Sequence, residues 1–150
     1  MRVLIQRVTS ASVDIEGERV ASIGKGFLLL VGFTSGDTPE IADKMVQKVA
    51  KLRIFADENG KTNLALADIG GEVLSVSQFT LYADCSQGNR PSFVKAMKAE
   101  EANALYAYFF ASLKALFPAL QGGVFQTDMQ VSLVNEGPFT VLLDSQELFK

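Results

Sequence analysis

Phe27-Leu28-Leu29-Leu30-Val31-Gly32-Phe33 is the stretch that decides the fold. A strand with one face in water alternates apolar and polar residues, whereas this run is apolar apart from Gly32. Such a run is typical of a short strand that is buried on both faces. Gly24-Lys25-Gly26 predicts a turn directly before it. We therefore expect a central strand here, with other elements covering both of its faces.

Strand patterns also occupy the chain before this run. Residues 3–8 alternate along the strand, and residues 11–15 follow as a further strand segment. Glu16-Gly17-Glu18 predicts a turn, because glycine readily takes a positive φ, and residues 19–23 return as a strand. The first part of the chain is therefore predicted to be a set of neighbouring strands.

Two helices are predicted after the central strand. Thr38-Pro39-Glu40 marks the start of the first, since threonine is a favoured N-cap and proline suits the first helical position. Residues 99–117 form the second, which Pro118 ends. The apolar residues that recur at helical spacing predict the buried faces, and they are Ile41, Met45, Val49 and Leu52 in the first helix and Ala102, Leu105, Phe109, Leu113 and Leu116 in the second.

The remaining strands are predicted from short runs that turn residues separate. They cover residues 53–56, 72–82, 124–126, 129–134 and 139–143. Within residues 72–82, the side chains of Leu74, Val76, Gln78 and Thr80 are expected on one face. About eight short strands and two helices are thus predicted, in a single domain over residues 1–150.

Composition limits the chemistry that the chain can perform. The chain has no histidine and a single cysteine, Cys85. This excludes Ser-His-Asp and Cys-His catalysis, an internal disulfide and nearly every zinc site, so neither a metal nor a cofactor is expected. The net charge of -3 and the pI of about 5.0 argue against a broad grip on a nucleic-acid duplex, but not against binding of a few nucleotides. Charges at Arg2 and Arg7 leave no room for a secretory leader, no window suits a membrane span, and a cytoplasmic location is expected.

Two segments place polar residues within otherwise apolar strands. Ser77-Gln78-Phe79-Thr80-Leu81 puts three hydrogen-bonding side chains near a strand end, where they either serve one pocket or form a strand face that is merely wet. Asn135-Glu136-Gly137-Pro138-Phe139-Thr140 is either a turn between the last two strands or a stretch of bare backbone that faces a ligand. The second alternative arises because Gly137 has no side chain and Pro138 has no N–H. Residue types alone leave these alternatives open.

These two segments resemble the two signature motifs of D-aminoacyl-tRNA deacylases. The resemblance covers nearly the whole chain in order, through Ile5-Gln6-Arg7-Val8, Arg53-Ile54-Phe55, Gly71-Glu72-Val73-Leu74, Arg90-Pro91-Ser92-Phe93 and Asp128-Met129-Gln130-Val131-Ser132-Leu133. Several co-linear motifs are far more specific than a lone Gly-Pro pair. Phe139 departs from the pattern, because a smaller aliphatic residue commonly follows that pair. With this resemblance we expect an α/β fold with mixed β-sheets in barrel-like β/β/α layers, two main helices, and a homodimer.

The resemblance also implies how the substrate is selected. The active site would lie at the subunit interface, and a cis Gly137-Pro138 pair would reach into the partner's site. Its carbonyls would exclude an L side chain at Cα, admit a D side chain, and have nothing to reject on glycine. Arg7 would brace this loop by hydrogen bonding, or else be an exposed arginine at a strand end. The implied residues for substrate binding and chiral selection are Gly137, Pro138, Arg7, Met129, Asn135 and Thr140.

The implied catalytic residues are Ser77, Gln78, Phe79 and Thr80. Backbone N–H groups near Phe79 and Thr80 would bind the developing oxyanion of the ester carbonyl, while Ser77 and Gln78 would hold the terminal adenosine or the ester. Thr80 as a covalent nucleophile would need a base, and no histidine exists to act as one. A route assisted by the 2′-hydroxyl of the terminal ribose is therefore preferred to an acyl-enzyme on Thr80.

The expected partner is the aminoacylated 3′ end of tRNA. Candidate contacts to the adenine are Phe79, Met129 and Phe93, with core packing as the alternative for Phe93. Candidate contacts to acceptor-stem phosphates are Lys44, Lys48, Lys51, Lys95 and Lys98. The first three lie on one helix face, and the alternative is that this face only contacts solvent. Two other functions stay open: a non-catalytic module that binds the tRNA end, and a general Ser/Thr esterase, although the chain lacks a Gly-x-Ser-x-Gly elbow.

Overall fold

A long first strand organises the sheet. In the computed structural model, which describes residues 1–150, β1 spans Arg2–Ile15. Its first half pairs with β3 (Gly26–Gly32), and its second half pairs with β2 (Glu18–Ile23). Along its other edge β1 pairs with β8 (Gln130–Asp144) over nearly its whole length, and all these pairings are antiparallel. Because two strands share one edge of β1, the sheet divides and curves around it into a barrel-like form.

The central apolar run is confirmed as a strand buried on both faces. β3 lies between β1 and the parallel strand β6 (Glu72–Ser77), and all its residues except Leu30 are buried. Phe27 and Leu29 join a core between the sheet and the helices, whereas Leu28 joins a second core inside the curved sheet. These two cores, on opposite faces of one strand, produce the expected β/β/α layers.

Two helices cover the first core. α1 spans Pro39–Lys51, and the side chain of its N-cap Thr38 accepts a hydrogen bond from the Ile41 N–H, so the predicted start is confirmed. α2 spans Ala99–Leu116. Leu116 is 45% exposed, so its predicted place on the buried stripe is wrong, because Phe117 packs against the core at that end. The other predicted stripe residues are buried or pack against this core.

The remaining elements are short. They are the two-stranded sheet of β4 (Arg53–Ala56) and β5 (Thr62–Ala65), the strand β7 (Gln121–Gly122), the helix α3 (Ser145–Leu148), and 3₁₀ helices at Ala67–Ile69 and Phe79–Tyr82. None of the helices is both long and apolar enough to cross a lipid bilayer.

The C-terminal strands differ from the prediction. Residues 124–126 do not form a strand, because the chain turns there and Gln126 takes a φ of 59°. Residues 129–134 and 139–143 are not separate strands, because β8 runs through both. The Gly137-Pro138 pair lies inside β8, and near it the register with β1 shifts twice, on either side of Val8. Irregular pairing with β1 is therefore found in place of a turn, which is one of the two alternatives for this segment.

Candidate active site

One cavity, of about 680 Å³, collects most of the predicted catalytic segment. The parallel strands β3 and β6 end side by side at this cavity, and their register partners Val31 and Ser77 both line it. Gln78, Phe79 and Met129 line it as well. A crevice at the carboxyl ends of parallel strands is a common place for a ligand. The structure thus brings four of the predicted site residues together.

The segment after β6 leaves the sheet at Ser77. The Gln78 N–H donates a hydrogen bond of 2.7 Å to the Val31 carbonyl, and the 3₁₀ helix Phe79–Tyr82 follows. The prediction that residues 72–82 form one strand is therefore wrong, and Gln78 and Thr80 do not share a strand face.

Gly32 allows this close passage of the chain. A Cβ atom at position 32 would lie 2.7 Å from the Gln78 carbonyl oxygen and 3.2 Å from the Leu81 Cβ. A glycine inside a strand often marks such an approach of another backbone segment. Gly32 also lines the cavity, so it is a site residue that sequence reasoning missed although its position in the apolar run marked it.

Two backbone donors stand at the start of the 3₁₀ helix. In a 3₁₀ helix each N–H donates to the carbonyl three residues earlier. For Phe79 and Thr80 that carbonyl lies before the start of the helix, so the helix itself offers these two N–H groups no acceptor. The Leu81 N–H, in contrast, already donates to the Gln78 carbonyl at 3.3 Å. The hydroxyl of Thr80 accepts a hydrogen bond from Gln78 Nε2, and Thr80 itself lies exposed beside the cavity.

Two aromatic rings flank the mouth of the cavity. Phe79 is 54% exposed and Phe93 is 40% exposed, and their centroids lie 5.0 Å apart in an edge-to-face arrangement. This exposure does not fit the alternative of core packing for Phe93. A flat ligand could therefore stack on one of these rings.

Tyr106 supports the cavity from the core. It is buried, and its hydroxyl donates a hydrogen bond of 3.0 Å to the carbonyl of Ser75, two residues before Ser77. Burial raises the pKa of Tyr106 to about 12, against the opposing effect of the hydrogen bond with the Ser75 side chain. Its ring stacks on Phe125, which lines the cavity. Tyr106 is therefore a neutral support for the β6 end.

The second predicted segment lies outside this cavity in the folded molecule, since none of residues 135–140 lines it. The Gly137-Pro138 peptide bond is cis, and both residues are exposed. Gly137 has a φ of 139°, and a Cβ atom there would lie 2.9 Å from the Phe139 nitrogen. Only glycine fits this backbone without strain.

Arg7 ties residues 135–140 of β8, called the Gly-Pro loop below, to the strands β1 and β4. Its Nε donates to the Glu136 carbonyl at 3.0 Å, and its Nη1 donates to the Ile54 carbonyl of β4 at 2.7 Å. Its guanidinium carbon also lies 4.5 Å from the centroid of the Phe139 ring. Arg7 is thus half-buried and held by two hydrogen bonds, and not the exposed strand-end arginine of the alternative.

Asn135 closes the base of the same loop. Its Oδ1 accepts a hydrogen bond of 2.6 Å from the Phe139 N–H, which spans the Gly-Pro pair. Its Nδ2 donates to Thr140 Oγ1 at 2.9 Å and to Gln6 Oε1 at 3.2 Å. The structure therefore brings Arg7, Asn135 and Thr140 together around the loop, apart from the cavity.

The lysines predicted to contact phosphates do not lie together. Lys44, Lys48 and Lys51 are all exposed on α1, and Lys98 lines the cavity. Lys95 pairs with Asp84, at 3.2 Å between Nζ and Oδ2.

No three carboxylate or thiol side chains are grouped so that they could hold a metal ion.

Comparison with known proteins identifies the family. The model of the family described as D-Tyr-tRNA(Tyr) deacylase matches residues 4–144. The chain is 54% identical over 144 residues to a D-aminoacyl-tRNA deacylase of Lactobacillus acidophilus, covering 96% of this chain and 99% of that protein. It is 52% identical over 150 residues to a D-aminoacyl-tRNA deacylase of Listeria monocytogenes, covering 100% of both. Among solved structures, it is similar to the c-Myc DNA Unwinding Element Binding Protein, with a TM-score of 0.90 and 39% identity over 96% of this chain and 98% of that one. This chain therefore belongs to the D-Tyr-tRNA(Tyr) deacylase family.

Proposed function

We propose that the chain hydrolyses the ester bond between a D-amino acid and the 3′-terminal ribose of tRNA. The products are the free D-amino acid and the uncharged tRNA. The observation that carries this proposal is the cavity at the ends of β3 and β6, where Ser77, Gln78 and Phe79 meet in a chain of this family. Its volume of about 680 Å³ is in the range of small-ligand sites, so it suits one aminoacylated nucleoside.

The terminal adenine stacks on the ring pair of Phe79 and Phe93. Proteins that read single-stranded RNA ends commonly stack an unpaired base on an aromatic side chain. Such a grip needs little positive charge, which agrees with the net charge of -3. Met129 and Phe125 complete the apolar wall of the cavity.

The reaction depends on backbone donors more than on side chains. Water attacks the ester carbonyl carbon, the bond from that carbon to the ribose oxygen breaks, and the ribose oxygen takes up a proton. The N–H groups of Phe79 and Thr80 stabilise the oxyanion, each by about 3 kcal/mol in the transition state.

Thr80 is not the nucleophile in this proposal. Its hydroxyl oxygen accepts a hydrogen bond from the Gln78 side-chain amide, and an amide cannot take up the proton that a nucleophilic hydroxyl must lose. The 2′-hydroxyl of the terminal ribose, next to the ester, positions the attacking water instead.

The carbonyls of Gly137 and Pro138 enter the cavity of the neighbouring subunit and reject L-amino acids there. Arg7 and Asn135 hold the loop, but it lines no part of its own chain's cavity. The outer edge of β8 has no partner strand, and an unpaired edge of this length favours association with a second copy. A homodimer with its sites at the interface follows, and glycyl-tRNA is also a substrate because glycine offers no side chain to reject.

The experiment is to charge tRNA with D-tyrosine, L-tyrosine or glycine and to measure release of each amino acid. We expect release of D-tyrosine and glycine, and at least about a hundredfold slower release of L-tyrosine. Binding of charged tRNA without any release would instead identify a non-catalytic module. Hydrolysis of simple esters that lack a ribose would point to a general esterase.

The mechanism has its own test in Thr80→Ala. We expect a loss in kcat below about tenfold, because only a supporting hydrogen bond disappears. D-tyrosyl-tRNA that ends in 2′-deoxyadenosine should lose much more with the wild-type enzyme. An acyl group trapped on Thr80, or complete inactivity of Thr80→Ala, would refute the substrate-assisted route.

A further inference from the structure

A second cavity, of about 800 Å³, lies beside the first and has a more polar wall. Its polar lining side chains include Arg2, Thr34, Ser35, Asp84, Lys95 and Gln146. None of the residues assigned above to catalysis or chiral selection lines it.

Three segments of the chain run from one cavity into the other. Residues 31–33 line the first cavity, and Thr34 and Ser35 line the second. The 3₁₀ helix lines the first with Phe79 and the second with Tyr82. Val94 belongs to both and is 83% exposed, so no buried barrier separates them there. The two cavities therefore form one path across the surface.

Tyr82 leaves an unused polar group in the wall of the second cavity. The residue is 5% exposed, and its buried hydroxyl has no hydrogen-bond partner. Burial, followed by the nearby carboxylates of Asp37 and Asp144, raises the pKa of Tyr82, against the effect of Arg2, whose guanidinium carbon lies 4.6 Å from the ring centroid. The hydroxyl is therefore neutral. Buried polar groups without a protein partner are rare and often mark a place for a ligand or an ordered water.

The charges in this cavity suit a ligand with both an anionic and a neutral polar part. Hydrogen bonds from the side chain and N–H of Ser86, and then from Lys95, lower the pKa of Asp84 to about 2. Asp84 is therefore a permanent acceptor and repels a free anion. Lys95 is exposed and able to leave Asp84 for a phosphate. A carboxylate is also the usual acceptor for the exocyclic amine of cytosine.

We propose that the second cavity binds the nucleotide that precedes the terminal adenosine of the tRNA 3′ end, which is a cytidine. Its base amine faces Asp84, and the phosphate that links it to the adenosine faces Lys95. Phe79 and Tyr82 are one 3₁₀ turn apart, a rise of about 6 Å, which a single unstacked nucleotide step can bridge. This inference rests on the proposed function, because it extends the substrate from the first cavity.

The test compares three small D-tyrosyl esters. They are D-tyrosyl-adenosine, the same ester with a 5′-phosphate, and D-tyrosyl-cytidylyl-adenosine. We expect the dinucleotide ester to have a kcat/KM at least about tenfold above both others. Lys95→Ala should lower the kcat/KM of both esters that carry the phosphate and leave that of D-tyrosyl-adenosine unchanged. Lys61→Ala, an exposed lysine in the turn before β5, is the matched control and should change neither value.

Two results would overturn the inference while the proposed function stands. One is a dinucleotide ester no better than D-tyrosyl-adenosine, or no better than its 5′-phosphate. The other is an equal loss with all three esters in Lys95→Ala. Calorimetry of uncharged cytidylyl-adenosine and of adenosine tests the second site independently of hydrolysis, because it compares the affinities of the two compounds. Tighter binding of the dinucleotide without any hydrolysis would support the second site and refute the hydrolase.

Discussion

At the residue scale, Phe79 has two parts that different substitutions can separate. Its ring is exposed at the cavity mouth, and its N–H starts a 3₁₀ helix. Phe79→Ala removes the ring and keeps the N–H. Phe79→Pro removes both, and proline suits the first position of a helix after an extended residue such as Gln78, whose φ is -145° and ψ is 88°. The difference between the two variants therefore reports the N–H alone.

We expect Phe79→Ala to raise KM for D-tyrosyl-tRNA, because a stacking surface is lost. Phe79→Pro should lower kcat by a further ~10²–10³-fold, as removal of one oxyanion donor does elsewhere. Steady-state kinetics of both variants measure this, with circular dichroism as a check on folding. Equal kcat values in the two variants would show that this N–H does not bind the oxyanion.

At the element scale, the ends of β3 and β6 have to fit each other closely. Gly32→Ala places a Cβ against the Gln78 carbonyl and the Leu81 side chain. We expect a loss of about 1–3 kcal/mol in the free energy of unfolding, and a fall in kcat/KM because Phe79 moves with Gln78. Chemical denaturation and kinetics measure the two effects. Gly36→Ala, at a glycine with open space around it, is the control. Its φ of 92° adds backbone strain and lowers stability, but its kcat/KM should stay at the wild-type value.

The junction of β8 with α3 is the element whose stability should depend on pH. Asp144 is buried, which raises its pKa, but hydrogen bonds from Arg2 Nε and the Gln146 N–H, each 2.9 Å long, hold the pKa below its usual 3.8. The ionised form is therefore the stabilising one. Its contribution is complete above pH 3.8 and is lost as the pH falls through the lower folded-state pKa.

Asp144→Asn should therefore destabilise the protein at pH 7, by about 1–2 kcal/mol. The difference from the wild type should shrink as the pH falls below 3.8. Urea unfolding at several pH values measures it. A difference that stays constant down to pH 2 would show that the carboxylate charge contributes nothing.

Elements that depend on neighbouring residues in the sequence were predictable, whereas those that depend on tertiary contacts were not. The Thr38 cap and the run from Phe27 to Phe33 depend on neighbours along the chain, and both predictions are confirmed. The end of β6 could not be predicted, because polarity alternates beyond Ser77 while its partner β3 stops at Gly32. Resemblance pointed to both polar segments. The separation of these segments in one chain, and the second cavity around Tyr82, depend on tertiary contacts that no local pattern contains.

At the scale of the whole molecule, one chain holds the two halves of the proposed site in different places. The cavity has backbone donors but no Gly-Pro carbonyls, and the Gly-Pro loop has no cavity of its own. Arg7→Ala removes the hydrogen bonds that hold the loop at Glu136 and Ile54. We expect this variant to hydrolyse D-tyrosyl-tRNA and also, more than about tenfold above the wild type, L-tyrosyl-tRNA.

Mixing subunits then shows which chain rejects the L-amino acid. In a dimer of Arg7→Ala with Phe79→Pro, the intact cavity of the first subunit would receive the intact loop of the second. An excess of Phe79→Pro subunits should therefore suppress L-tyrosine release by Arg7→Ala and leave D-tyrosine release in place. The double variant Phe79→Pro with Arg7→Ala, in the same excess, should not suppress it, since it brings a defective loop. If native mass spectrometry shows mixed dimers and L-tyrosine release persists, each loop acts within its own chain, and the cross-subunit arrangement is wrong.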